Sequence, residues 1–459
     1  MLFHLVTNVW GVRHTDLFLE MTLPNLLSDG NLPALASVHR VVYRIHTTLK
    51  DMERIKVSAS GKMLAKLVPV EFVTPLGDRT PDVTYHVHWF HKTAAEAKIR
   101  GAVVCFIPPD TLWSDGSLRR CGEIMISGYK AIAVPFLQVV METCLPDVKA
   151  RFKSTENGTI TIPQMKLAEL GRSHLHPLTT LALPNSPHGR PALDFYWPVG
   201  KEGFISRFGV RELFAFDPRR CQITFLWYAG GKEDQTGIYF GEGSHDIAML
   251  SVDPLHKYFD NYILEHTNTP GDIVRSTLHP LNDTKQTSTF VKRAIYWRIS
   301  SNNLAAWRQA KYGSDKVMRE VEIRRIMHRI WSVLNISGCK QIARILALVL
   351  GATNFSEVWR QNLPLTIFIT SDEAYFGDIA ERIQSWLLPG KEDLLIKFIT
   401  RHVITGNICG EKNFCISMDG TILNIQKSKA SLSVSGFVTK IVNHDIEGLT
   451  IFKINGTLF

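Results

Sequence analysis

Residues 102–118 read AVVCFIPPDTLWSDGSL, an apolar run that meets two prolines and then carries two carboxylates, Asp110 and Asp115. Carboxylates in such a place suit Mg2+ or Mn2+, hard cations that rest on one or two acidic side chains and complete their shell with substrate oxygens. A cation held that way can neutralise a departing phosphate group. The same residues also suit Asx turns, since Asp110 follows Pro108-Pro109 and Asp115 precedes Gly116. Pattern alone leaves both readings open. Three other patterns fail on their own chemistry. HVHWFH gathers His86, His88 and His91, but the spacing supplies no fourth zinc ligand. ISMDGTIL (416–423) has Ser417 where a phosphate-accepting aspartate would have to stand, so Asp419-Gly420 reads as a hairpin turn. GEG at 241–243 lacks the continuation of a dinucleotide-binding loop.

The elements that must position these groups alternate. FHLVTNVW (3–10), VVYRIHTT (41–48), AVVCFI (102–107) and YKAIAVPF (129–136) are β-rich, and YHVHWFH (85–91) is strand-like or extended. Between them a helix starts near Thr15 and is ended or kinked at Pro24, a short one follows Asp51, KTAAEAKIRG (92–101) stops at Gly101, and another covers about 117–127. Strands alternating with helices predict βαβ units and a mostly parallel α/β sheet flanked by helices, with ligands at the carboxyl ends of its strands. A helix from Ser314 puts Ile323, Met327, Ile330 and Leu334 on one face and Arg324, Arg325 and Arg329 around the other. LPLTIFIT (363–370) is a strand followed by an amphipathic helix, and from Ile404 the alternation and turn pairs predict a small antiparallel β unit. The expected organisation is a first domain over 1–335, a helical or α/β connecting segment over 336–400, and the β unit over 401–459.

Length sets two or three domains at about 150 residues each. The excess of 52 basic over 43 acidic residues, a net charge of +9, favours anionic partners. Residues 275–344 hold 14 Lys or Arg against 4 Asp or Glu. They are either a solvated face or a surface for an anionic partner, nucleic acid included. Seven widely spaced cysteines without a C-x-x-C pair argue against a disulfide framework or zinc cluster and for a reducing compartment. The start lacks a signal-peptide pattern, and no apolar run is long enough for a transmembrane segment, so a cytoplasmic protein is expected.

AVVCFIPPDTLWSDGSL, with the preceding HKTAAEAKIRGA, resembles the metal-site strand and lead-in helix of GT-A-fold glycosyltransferases. NVWGVRHTDLFLEMTLPNLLSDGNLPAL, YRIHTTLKD and FIPPDTLWSDGSL are similar to a bacterial group of glycosyltransferase-like proteins without a described activity; the similarity covers about residues 1–330. It implies a nucleotide-sugar donor, a glycan or other hydroxyl acceptor, and a divalent metal, Mn2+ or Mg2+. Asp110 takes the first acidic position of the metal motif. The second departs from it, because Thr111 and Leu112 follow: Asp115 reaches back, or the metal is weakly held, or there is none. Thr7 and Trp10 fall where the fold grips the nucleotide, Thr47 and Asp51 where it contacts base or ribose, and His91 and Lys92 where a cation can face the diphosphate. In the Gly-rich GIYFGEGSHDIAMLSV, the resemblance makes His245 a late metal ligand and Asp246 the general base; the other reading of both is a polar hairpin tip. Arg207 and Arg211 are either simply exposed or further candidates for holding donor phosphates. The alternative to an enzyme is a non-catalytic GT-A-like binding or scaffold protein that contacts an anionic partner.

Overall fold

A computed structural model describes residues 1–74, 83–188, 194–208, 212–221, 236–256, 267–274, 293–300, 302–336, 339–340, 342, 345, 365–370, 372, 378–386, 391–405, 414–427, 432–435, 437–443, 449–454 and 458. The chain divides into two compact units, Met1–Arg319 and Glu320–Phe459.

The first unit is mixed α/β. Strands β1 (Leu2–Asn8), β2 (Arg40–His46), β3 (Val70–Val73), β4 (Ala102–Phe106), β6 (Ala131–Val134), β10 (Glu212–Phe216) and β11 (Ile238–Phe240) form one seven-stranded sheet in the order β11-β6-β10-β4-β1-β2-β3. β10 alone runs against its neighbours β4 and β6. The other pairings are parallel. A mostly parallel sheet flanked by helices is what the alternation of strands and helices predicts. Strand alternation sorts β1 by face: Phe3 and Leu5 pack with Tyr43 and Ile45, while Val6 packs with Val104 and Phe90 on the other side.

After β1 the chain forms α1 (Val12–Leu17), passes through a π-helical stretch (Phe18–Thr22) and enters α2 (Leu23–Leu26). Pro24 therefore does not end the helix. It sits in the first turn of α2, where a missing N–H is tolerated. The helix begins three residues before Thr15, behind Gly11, whose φ of 77° is in the left-handed region. Next come α3 (Leu32–Val38), α4 (Leu49–Val57), α5 (Ala59–Leu67) and α6 (Val83–Arg100).

α6 corrects the reading of 85–91 as a strand. Buried Trp89, Phe90, Thr93 and Ala97 recur at helical spacing and cover one face of the sheet.

Past β4, β5 (Thr111–Trp113) leads into α7 (Ser117–Ile126). β5 pairs antiparallel with β12 (Met249–Asp253), and β12 pairs parallel with β7 (Phe136–Val140). β8 (Asp194–Pro198), β9 (Gly203–Phe208) and β13 (Ile295–Arg298) form a further antiparallel sheet. Arg207 of β9 is 3% exposed and pairs with Ser314 (3.1 Å) and Asp315, so its guanidinium belongs to the core of this unit. Arg211 lies outside the described residues. The helix Leu304–Ile336 starts ten residues before Ser314.

In the second unit, seven strands take the order β15-β14-β20-β19-β18-β17-β16. These are β14 (Leu365–Thr370), β15 (Val403–Thr405), β16 (Phe414–Ile416), β17 (Ile422–Lys427), β18 (Leu432–Val434), β19 (Phe437–Asn443) and β20 (Leu449–Ile454). The tail is antiparallel except that β20 pairs parallel with β14. A bridge between Ile404 and Ser417, with Met418 N–H donating to the Val403 carbonyl (2.7 Å), brings the two rims of the sheet together. Phe368, Leu423, Val434, Phe452 and Ile454 fill the interior. Asp419-Gly420 is a hairpin turn, with Asp419 accepting from Thr421 N–H and Arg401 Nε and held at about 2 against desolvation by the hydrogen bonds of Ser417 and Thr421.

Candidate functional site

The parallel strands β1, β2 and β4 end together, and the segments that follow them carry Trp10, Thr47, Asp51 and Asp110. β1 runs into Trp10 and Gly11, β2 into Thr47 and Thr48, and β4 into Asp110. β2 and β3 extend the sheet to one side of β1, whereas β4 lies on the other side. The chain direction across the sheet thus reverses between β1 and β4, and open α/β sheets bind ligands outside such a reversal.

One carboxylate ties the first two turns. Thr48 caps α4: its hydroxyl accepts the Asp51 N–H (3.2 Å) and donates to Asp51 Oδ2 (2.9 Å). The same Oδ2 accepts the N–H of Gly11 (2.9 Å), and Oδ1 receives Arg54 (3.3 Å). Arg54 also pairs with Asp16. Asp51, 5% exposed, is therefore the joint between the β1–α1 and β2–α4 turns. Asp51→Ala is expected to cost about 2 kcal/mol, because the buried partners lose their charged acceptor. Urea unfolding of the variant beside Asp51→Asn, which keeps an acceptor for Gly11, checks this.

Around that joint several buried polar groups have no protein partner. Thr47 is 2% exposed and its Oγ1 is unpaired. His46 is equally buried, with Nδ1 unpaired and Nε2 at 3.3 Å from Thr93 Oγ1. Burial, and then the charge of Arg44, push its imidazole down to about 4, so it is neutral at physiological pH. Nε and one terminal nitrogen of Arg13 are buried without a hydrogen-bond partner. Trp89 of α6 meets His46 edge-on (5.2 Å) and Trp10 edge-on (5.5 Å), and Trp10 remains half-buried. Thr7 is different: its hydroxyl lies in the core, 2.8 Å from the Tyr43 hydroxyl. His91 and Lys92 are exposed on α6.

The turn at Asp110 is clasped by Thr22, whose hydroxyl donates to the carbonyls of Pro109 (2.7 Å) and Thr111 (2.9 Å), while the Asp110 carbonyl accepts Val252 N–H (2.8 Å). Asp115 points to the turn after α2: its Oδ1 accepts Ser28 Oγ (2.9 Å) and Gly30 N–H (3.0 Å). A Cβ on Gly30 would stand 2.6 Å from that carboxylate. His245 is exposed, beyond β11. Among the described residues no three His, Cys, Asp or Glu side chains stand together as metal ligands. Asp110, Asp115 and His245 therefore do not form a three-ligand set, and a cation resting on one carboxylate and donor oxygens stays an expectation.

Asp246 is also elsewhere. β11 lies four inter-strand steps from β1, roughly 19 Å. Its Oδ1 accepts Arg120 Nε (2.9 Å) and its Oδ2 accepts the Tyr239 hydroxyl (2.7 Å). Burial, and then the Asp246 carboxylate, push the Tyr239 phenol up to about 12. Each Asp246 oxygen thus already accepts a hydrogen bond from a side chain of this unit.

The site thus brings together Trp10, Thr47 and Asp51, and adds Arg13, His46, Trp89 and Thr93. Two of the additions carried a signal in the sequence: Arg13 stands in the first turn of α1, just past Gly11, and His46 closes the second strand. In the basic stretch, 275–292 lies outside the described residues. Further on, Lys311 pairs with Asp315 (2.6 Å) and Arg324 with Glu320 (2.7 Å).

No family model and no curated protein matches the chain. Among solved structures it is similar to a Bacillus anthracis protein assigned as a glucose-1-phosphate thymidylyltransferase, in complex with a sucrose. There the identity is 15% and the TM-score 0.19, over 35% of this chain and 63% of that one. It is also similar to S. aureus TarS, at 10% identity and a TM-score of 0.24, over 96% of this chain and 61% of that one. The chain spans less than two thirds of either. Among the described residues no helix is long and apolar enough to cross a membrane.

Proposed function

We propose that the chain transfers a sugar from a nucleotide-sugar to a hydroxyl of a glycan or another acceptor. The observation that carries this reading is the edge where β1, β2 and β4 end. At the reversal of the sheet it holds buried, unpartnered polar groups, Thr47 Oγ1 and His46 Nδ1 among them, beside a half-buried indole. Buried polar atoms need partners, and a ligand rich in hydroxyl, carbonyl and phosphate oxygens supplies them. Trp10 offers a surface on which a base can stack. Lys92 adds positive charge on α6. The chemistry is then mainly positioning of donor and acceptor and electrostatic support for the leaving diphosphate.

A thermal-shift panel of UDP-, GDP- and CMP-sugars tests the reading. One nucleotide class is expected to stabilise the chain by about 2.7 kcal/mol at a hundredfold excess over Kd. Trp10→Ala should remove that shift. Silence from every nucleotide, with and without Mn2+, would sink the proposal. The commitment of both Asp246 oxygens favours the second reading, a binding protein without turnover. Nucleotide binding without release of free sugar, even after long incubation with simple glycans, would select it.

A further inference from the structure

We propose that the Arg13 guanidinium receives the diphosphate of the donor, in the role that a protein-held divalent cation would otherwise fill. This rests on the nucleotide-sugar reading above.

Arg13 stands two residues beyond Gly11, in the first turn after β1. A guanidinium keeps its charge at any pH a protein survives. Arg13 is half-buried, and its Nε and one terminal nitrogen are buried without a partner, which is costly for donors of a charged group. The nearby carboxylates are already taken. Asp16 pairs with Arg54, and Asp51 is shared by Gly11, Thr48 and Arg54. An anion from outside is what the Arg13 guanidinium lacks. The same joint leaves Thr47 Oγ1 without a partner, one residue from Thr48. A guanidinium fork and a hydroxyl suit two phosphate oxygens. The expected cation set does not assemble among the described residues.

In the transfer, the acceptor oxygen bonds to the anomeric carbon and the bond from that carbon to the diphosphate oxygen breaks. Its electron pair leaves with the diphosphate, and the acceptor proton passes to solvent. The charge gained by the diphosphate is met at Arg13.

Isothermal titration of the full chain in EDTA, with inorganic pyrophosphate and with UDP, GDP, CDP and dTDP, tests this. Wild type is expected to bind pyrophosphate without metal. Arg13→Gln should bind about thirtyfold more weakly, as loss of charged hydrogen bonds implies, and Arg13→Lys should recover part of the affinity. Arg119→Gln, at an exposed arginine, should bind as wild type, and circular dichroism should show each variant folded. Equal binding by folded Arg13→Gln, or wild-type binding only with Mn2+, overturns the proposal. Arg13-dependent pyrophosphate binding with no gain from any nucleoside supports the phosphate site while removing the nucleotide-sugar reading. If nothing binds under any condition, both fall.

Discussion

Replacing Asn25 with leucine should lower the stability of the first unit by about 4 kcal/mol, since each buried backbone group left unpaired costs about 1–3 kcal/mol. Asn25 is fully buried. Its Nδ2 donates to the carbonyls of Trp113 (3.0 Å) and Ile160 (3.1 Å), and its Oδ1 accepts the N–H of Trp113 (2.7 Å). Leucine has about the same volume and none of these bonds. The loss should appear as a lower urea midpoint with an unchanged slope. Because the same helical run clasps the Asp110 turn through Thr22, ligand shifts should weaken in parallel. A change below 1 kcal/mol would mean that packing alone fixes β5.

Acid should unfold the first unit through its buried imidazoles. His46 titrates near 6.5 when unfolded and at about 4 in the fold, from burial first and Arg44 second. Above pH 6.5 both states are neutral there, and the stabilisation is fully present. Between 6.5 and 4 the unfolded chain takes up a proton that the fold excludes. Stability then falls by about 1.4 kcal/mol per pH unit, to a loss of about 3 kcal/mol near pH 4. His4 acts in the same direction: burial and then Arg44 lower it, and both its ring nitrogens are buried without partners. Melting temperature against pH, in wild type and His46→Gln, measures the effect. An unaltered slope in the variant would remove His46 from the account.

The parallel strands were legible because their inner faces must be apolar, as in AVVCFI and VVYRIHTT. α6 was not. Its His-rich first turns alternate like a strand, and only Trp89, Phe90, Thr93 and Ala97, taken over three turns, reveal the helical face. Within the site, Trp10, Thr47 and Asp51 could be placed from their positions after β1 and β2. The role of Asp51 as a joint could not, since it depends on the N–H of Gly11, forty residues earlier. Asp110 and Asp115 look like neighbours in the text. A hydroxyl and an amide after α2 turn Asp115 away, and nothing local to residues 110–115 encodes that.

β10 carries a consequence for synthesis. Residues 212–216 fill the place between β4 and β6, so those two strands cannot satisfy each other's hydrogen-bonding edges. On the ribosome both must wait for residues 135–211 to be made, a delay of several seconds at ordinary elongation rates. During that interval a greasy, unsatisfied slot stands open in the nascent chain, and it is there that a holding chaperone or a misdirected neighbour would first attach.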